Sequence, residues 1–157
     1  MEDVCRYQKE QKELEQISRK SKPSFHSQSK ALFSGKVLVA EDNEGCQIII
    51  KKILERFGLQ VVLADDGAEA VEKAESEKFD VIFMDLRMPF FDGLQATAIL
   101  QKRGVEIPIV AMSADVSESQ REICKEAGFN DYLPKPLERQ SLQAILERYC
   151  NKVESPA

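Results

Sequence analysis

Residues that could do chemistry follow four apolar runs in this 157-residue sequence. The run "KVLVA" leads into Glu41 and Asp42, and the run "FDVIFM" ends on Asp85. The run "IPIVAM" is followed by Ser113, and "DYLP" leads to Lys135. If these runs are parallel strands, their carboxyl ends share one edge of a sheet, where ligands of such sheets bind.

The chemistry of this set is that of a phosphoryl group and a metal ion. Three carboxylates in one cleft repel one another unless a cation lies between them, and oxygen-rich acidic sites suit a hard divalent ion such as Mg²⁺. A lysine and a serine hydroxyl can bind phosphoryl oxygens. An aspartate beside the cation can attack phosphorus and form an aspartyl phosphate. Taken singly, these residues are more typical of helix caps or solvated side chains, so the prediction of Asp85 as the reacting group depends on their joint appearance.

The elements that must position these residues alternate regularly from Lys36 onward. Short apolar runs predict strands, and helical spacing of apolar residues predicts helices over "CQIIIKKILERF", "GAEAVEKAESE", "GLQATAILQKR", "SESQREICKEA" and "RQSLQAILERYC". Asp66 is predicted to cap the second helix, and Ser117 with Gln120 to form a capping box before the fourth. Five strand–helix units with such apolar strands predict an α/β fold with helices on both faces of a parallel sheet.

The remaining composition narrows the class of protein. The net charge of −5 argues against a nucleic-acid partner, and no run is long enough to cross a bilayer, so we expect a cytoplasmic protein without direct membrane contact. Four widely spaced cysteines predict neither zinc nor a disulfide framework. Residues 1–20 are predicted to be a charged helix or tether, 21–34 a flexible linker containing His26, 35–151 the folded domain and 152–157 a polar tail.

Four stretches, "VLVAEDNE", "DVIFMDLRMPFFDGLQAT", "IPIVAMSAD" and "NDYLPKPL", resemble the response-regulator receiver domain. The receivers attached to hybrid sensor histidine kinases are the most similar. The resemblance implies a flavodoxin-like, doubly wound sheet of five parallel strands in the order 2-1-3-4-5, with five helices. It also implies that Asp85 is the phosphoacceptor and that Asp42, Asp85 and the backbone carbonyl of Arg87 hold Mg²⁺, with Glu41 acting through water. Mn²⁺ is expected to substitute for Mg²⁺.

The same resemblance assigns the other side of the site. It implies that Ser113 and Lys135 bind the phosphoryl group, that Ser113 and Tyr132 form the switch, and that the Lys135–Pro136 peptide is cis. Arg87 and Asp115, two residues beyond the acceptor and Ser113, have opposite charge, so an ion pair between them could slow dephosphorylation. The other reading is that both side chains point into solvent.

The function implied is acceptance of a phosphoryl group from a phosphohistidine in a two-component phosphorelay. The partner would be a histidine kinase or a histidine phosphotransfer protein. The chain would be the C-terminal receiver of a hybrid kinase, and that parent protein could be membrane-anchored. Formation of a homodimer is left open. One alternative is a stand-alone response regulator. Another is a phosphatase-type enzyme with an aspartate nucleophile, although such enzymes have a second aspartate where this chain has Arg87.

Overall fold

The computed structural model describes residues 32–153. Its strands are β1 (Phe33–Ser34), β2 (Lys36–Ala40), β3 (Gln60–Ala64), β4 (Val81–Asp85), β5 (Ile109–Ser113), β6 (Asp131–Pro134) and β7 (Asn151–Lys152). Strands β2 to β6 form one parallel sheet with the spatial order β3-β2-β4-β5-β6. Numbered by these five strands alone, the order is 2-1-3-4-5, which confirms the predicted flavodoxin-like sheet.

The helices alternate with the strands of the sheet. They are α1 (Glu44–Arg56), α2 (Gly67–Ser76), α3 (Gly93–Lys102), α4 (Glu118–Ala127) and α5 (Arg139–Tyr149). Asp66 caps α2 as predicted, through a hydrogen bond from the Glu69 amide at 2.8 Å. Ser117 caps α4 in the same way, but the reciprocal capping box is formed by Asp92 and Gln95 before α3.

Helices cover both faces of the sheet because successive strand residues point to opposite sides. On one face, Val39 and Phe83 pack with Leu54 of α1 and Leu146 of α5. On the other face, Leu38 and Met84 belong to the core that includes α2, α3 and α4. Every residue of β4 and β5 is buried, as expected for central strands of a parallel sheet.

A short antiparallel ribbon joins the two ends of the described chain. Phe33 pairs with Lys152 and Ser34 with Asn151, and the buried Phe33 ring meets the Phe57 ring edge-on at 5.8 Å between centroids. The folded unit therefore extends to Phe33 and Lys152, beyond the predicted range of 35–151. The reason is that the apolar Phe33 ring, although it follows a Ser-rich segment, is buried in the core. The expectations for residues 1–20 and for His26 lie outside the described residues.

Within residues 32–153, none of the helices combines the length and the apolar character that crossing a membrane requires.

Candidate functional site

The strand register brings the predicted site residues to one edge of the sheet. Ala40, the residue before Glu41, pairs with Met84, the residue before Asp85. Asp85 pairs with Met112, which precedes Ser113, and Ser113 pairs with Pro134, which precedes Lys135. The side chains predicted from four separate sequence stretches therefore lie on neighbouring strand ends.

Three carboxylates form the acidic part of this site. One carboxylate oxygen from each of Glu41, Asp42 and Asp85 lies within 4.8 Å of the others. Glu41 and Asp85 are buried, whereas Asp42 is exposed at the mouth of the cleft. Burial of carboxylates is costly without a compensating cation, so the arrangement requires positive charge nearby.

Lys135 supplies one positive charge to the two buried acids. Its Nζ lies 2.6 Å from Glu41 Oε2 and 2.9 Å from Asp85 Oδ2. When all three carboxylates are ionised, the one ammonium leaves two negative charges uncompensated, which equals the charge of one divalent cation. The oxygen donors and this charge balance fit Mg²⁺, a hard cation that keeps several water ligands.

The pKa shifts report the competition within this group. Burial raises the pKa of the Glu41 carboxyl to about 7, and the nearby Asp85 adds to the rise while Lys135 opposes it. Burial by itself lowers the pKa of the Lys135 ammonium, but Glu41 and Asp85 together outweigh it and hold that pKa above its ordinary value. A partly buried lysine that stays charged is suited to bind anionic oxygens.

The remaining oxygen of Asp85 and the Ser113 hydroxyl are both held by backbone amides. The Arg87 amide donates to Asp85 Oδ1 at 3.0 Å, and the Asp115 amide donates to Ser113 Oγ at 3.1 Å. Because Ser113 accepts in this bond, its own hydroxyl proton is left to donate to a group in the cleft. The geometry thus offers an ammonium and a hydroxyl donor around the Asp85 carboxylate.

The loop between β4 and α3 is fixed by close backbone approaches. A Cβ atom on Gly93 would lie 2.4 Å from the Asp85 carbonyl oxygen, and one on Gly67 would lie 2.5 Å from the Phe91 carbonyl oxygen. In the loop between Asp85 and Gly93, Phe90 has a φ of 67°, a left-handed conformation that is uncommon for a bulky residue, and its side chain is fully exposed. The loop after Asp85 is therefore tightly constrained by these close approaches and strained at Phe90.

Residues 37–147 match the family described as the response regulator receiver domain. This chain belongs to that family. The match covers the five-stranded sheet except for Lys36, all the residues of the cleft, and the helices as far as Glu147 in α5.

Individual relatives agree with this assignment. The osmosensing histidine protein kinase SLN1 of Saccharomyces cerevisiae is 37% identical over 140 residues, which cover 85% of this chain but 12% of that protein. The receiver domain thus spans a small part of that relative's length.

Two solved structures are also similar. The receiver domain of the sensor histidine kinase PA1611 from Pseudomonas aeruginosa, which has a magnesium ion coordinated in its active site cleft, is 40% identical with a TM-score of 0.69, and the match covers 74% of this chain and 97% of that one. The receiver domain of the response regulator Ssk1, solved with the histidine phosphotransfer signaling protein Ypd1 of Saccharomyces cerevisiae, matches at 28% identity with a TM-score of 0.70, covering 76% of this chain and 91% of that one.

Beyond the acidic cleft, the receiver domain places the other predicted residues as follows. The Lys135–Pro136 peptide bond is cis. The Tyr132 hydroxyl is buried and has no hydrogen-bond partner within residues 32–153, while the Arg121 guanidinium lies 5.4 Å from the centre of its ring. A buried hydroxyl without a partner is costly, so this position of Tyr132 is held by packing and by the cation–π contact.

Arg87 and Asp115 do not form the ion pair that their charges suggested. The Asp115 carboxylate instead accepts a hydrogen bond from the Ser117 amide at 2.9 Å. Hydrogen bonds from Ser117 hold the pKa of Asp115 below its ordinary value, and the nearby Arg87 charge contributes in the same direction. The Ser117 amide is only two residues from Asp115 and binds its carboxylate, so Arg87 and Asp115 interact only through the electrostatic attraction of their charges.

Sequence reasoning missed one residue of the site, Gln47 on α1. Its side chain is 6% exposed, and its Nε2 donates to the Glu41 carbonyl oxygen at 2.5 Å and to Asp65 Oδ1 at 2.8 Å. The signal in the sequence was a glutamine at helical spacing from the core residues Ile50 and Leu54. A polar residue in an apolar stripe indicates a specific buried partner.

Proposed function

We propose that this receiver domain accepts a phosphoryl group from a phosphohistidine onto Asp85. An Asp85 oxygen forms the new P–O bond while the P–N bond to the imidazole breaks, and the imidazole nitrogen keeps the electron pair and takes a proton from solvent. The observation that carries this proposal is the position of Asp85, a buried carboxylate at a strand end, hydrogen-bonded to Lys135 at 2.9 Å beside the Ser113 hydroxyl. Lys135 and Ser113 bind the phosphoryl oxygens as they leave the donor.

Asp42 and Asp85, the backbone carbonyl of Arg87 and, through water, Glu41 would hold a Mg²⁺ ion. When bound, the ion neutralises the carboxylates and the incoming phosphoryl oxygens, which would otherwise repel each other. The cluster of oxygens and its uncompensated charge support this assignment, as does the magnesium in the related PA1611 receiver. Mn²⁺ substitutes because it also prefers oxygen ligands.

The phosphodonor is a histidine phosphotransfer protein or a histidine kinase, and the parent protein is a hybrid kinase. The similarity to SLN1 and to the Ssk1 receiver solved with Ypd1 supports this context. Ile48 on α1, Phe90 before α3 and Val116 before α4 are exposed apolar residues on segments that leave the carboxyl edge of the sheet. We infer that these three residues contribute to the apolar surface against which a phosphotransfer protein packs while its histidine reaches Asp85.

Incubation with acetyl phosphate and Mg²⁺, followed by intact-mass measurement, tests the acceptor. We expect one phosphoryl group on the wild type and none on Asp85→Asn. The matched control is Asp80→Asn, because Asp80 immediately precedes the same strand, at the end opposite Asp85, and accepts a hydrogen bond from the Lys36 amide. Phosphorylation of Asp85→Asn, or its loss in Asp80→Asn alone, would contradict the assignment.

A second experiment separates the donor surface from the chemistry. Phe90→Asn should slow phosphotransfer from a phosphorylated phosphotransfer protein and leave the rate with acetyl phosphate unchanged, because Phe90 is fully exposed and has no place in the cleft. Asparagine tolerates the left-handed conformation better than phenylalanine, so folding is not compromised. Equal slowing with both donors would show that Phe90 acts on the acceptor and not on the partner.

Two further roles are part of the proposal. Phosphorylation draws the Ser113 hydroxyl toward the phosphoryl group, and Tyr132 rotates with it, which shifts the population between two packings of the α4, β6 and α5 face.

The guanidinium of Arg87, opposite Asp115, obstructs in-line attack by water. Faster decay of the phosphorylated protein in Arg87→Ala or Asp115→Ala would support this obstruction, and unchanged decay in both would remove it.

A further inference from the structure

The backbone of Glu41 is held from two sides at the end of β2. Its amide donates to the Ala64 carbonyl of β3 at 3.0 Å, and its carbonyl accepts from Gln47 Nε2 at 2.5 Å. The Gln47 amide is oriented unambiguously, because a backbone carbonyl and the Asp65 carboxylate can only accept and only the NH₂ group can donate to both. Gln47 therefore ties the first turn of α1 to the ends of β2 and β3.

This bond acts on the peptide that links the two acids of the "ED" pair. Glu41 reaches Lys135, whereas the exposed Asp42 carboxylate has no hydrogen-bond or ion-pair partner among residues 32–153. The position of Asp42 is consequently set by the orientation of the Glu41–Asp42 peptide and not by contacts of its own side chain. The bond to Gln47 fixes that orientation.

We propose that Gln47 is a positioning residue for the metal site, held in turn by Asp65, and that it sets the affinity for Mg²⁺ through the Glu41–Asp42 peptide. The inference rests on the proposed function, since it names what determines the metal affinity of that site. Partners that orient metal-ligating groups change metal affinity by about 10- to 100-fold when they are removed.

The main variant is Gln47→Met, which keeps the length of the side chain and removes both donors. Calorimetric titration with Mg²⁺, without a phosphodonor, should show about 10-fold weaker binding. In the metal-free protein, the Asp42 and Asn43 amide resonances should shift. At saturating Mg²⁺ the rate of phosphorylation should return to the wild-type value, because Gln47 acts only on the metal affinity.

Two other variants make the test discriminating. Ile50→Val lies one turn further along α1 in the core and lowers stability without touching Glu41, so its Mg²⁺ affinity should equal that of the wild type. Asp65→Ala removes the outer partner of Gln47 at an exposed position, so it should fold even if Gln47→Met does not, and it should weaken Mg²⁺ binding by a smaller factor.

Unchanged Mg²⁺ affinity in folded Gln47→Met, or in Asp65→Ala if that is the only folded variant, overturns the inference. Equal weakening in Ile50→Val also overturns it, because the effect would then follow stability. A wild-type protein that binds no Mg²⁺ overturns the proposed metal site itself. That result differs from a wild type that binds Mg²⁺ as tightly as Gln47→Met does, which removes only the role of Gln47.

Discussion

Replacing Lys135 with methionine removes the ammonium between two buried carboxylates and keeps much of the apolar side chain. The partner side chains Glu41 and Asp85 are 2% and 7% exposed, and Lys135 itself is 17% exposed. Removing one partner of a buried ion pair costs about 3–5 kcal/mol, because a charge stays buried without compensation. We expect a loss of about 3 kcal/mol in metal-free protein at neutral to alkaline pH, the lower end of that range, because the cleft is open to solvent beside Asp42.

The pH dependence separates lost charge from lost packing. Burial raises the pKa of Glu41 from 4.5 to about 7, and the loss of Lys135 removes the contribution that opposes this rise. A carboxyl whose pKa is raised by folding contributes stability below its unfolded value and loses that contribution as the pH rises through its folded value. The metal-free Lys135→Met protein should therefore lose stability more steeply than the wild type between about pH 5 and pH 8.

Urea unfolding at several pH values, followed by circular dichroism in the presence of EDTA, measures this loss of stability and its pH dependence. With a slope of about 1–3 kcal/mol per molar urea, a loss of about 3 kcal/mol lowers the midpoint by about 1–3 M. The matched control is Lys152→Met, whose ion pair with Glu147 has side chains that are 67% and 43% exposed, so removing this pair should cost less than about 1 kcal/mol. Equal destabilisation of Lys135→Met at pH 5 and pH 8 would refute the electrostatic reasoning and leave only packing.

Three further predictions concern the scaffold around the site. Gly67→Ala should cost about 1–3 kcal/mol in urea unfolding and weaken Mg²⁺ binding, because the added Cβ meets the Phe91 backbone of the loop after Asp85; an unchanged midpoint would contradict the contact. Phe33→Ala should cost about 3 kcal/mol, since the ring is 1% exposed, whereas Leu32→Ala, 43% exposed, should change stability little; equal effects would show that the ribbon is not anchored by Phe33. Burial and the adjacent Asp131 raise the pKa of Tyr149 to about 12. The stability advantage of the wild type over Tyr149→Phe should therefore be full below about pH 10 and shrink as the pH rises toward 12. An advantage that stays constant across that range would contradict the raised pKa.

The acidic cleft could be predicted from the sequence because it depends on strand ends. Apolar runs mark where Asp85 and Ser113 leave the sheet, and parallel strands bring their carboxyl ends together whatever the details of packing. The same reasoning located the cap at Asp66, since a capping bond spans only three residues. Local patterns and a single topological rule were sufficient for these features.

The features that the sequence did not predict depend on contacts between distant segments or on competition between partners. Gln47 bonds Asp65 across 18 residues, and no local pattern identifies that partner. Phe33 is drawn into the core by a ribbon whose other strand begins at Asn151, at the far end of the domain. Asp115 had two candidate partners, and the nearer Ser117 amide was favoured over the Arg87 side chain because fewer rotatable bonds must be fixed.

The charge network of the cleft also explains why this site cannot form before the sheet does. The Lys135–Glu41 bond joins residues 94 apart in the chain, and the Lys135–Asp85 bond joins residues 50 apart. The lysine follows the edge strand β6, the glutamate follows β2 on the far side of β4, and the sheet order puts β4 and β5 between them. A folding intermediate without β6 would carry Glu41 and Asp85 without their common cation, and protonation or hydration would have to replace the lysine. Closure of the sheet and assembly of the acidic cleft are therefore one event, so that substitutions at Lys135 act on folding and on the charge of the cleft together. The bonds of Gln47 span only 6 and 18 residues and join α1 to the ends of β2 and β3, so they do not depend on the edge strand β6.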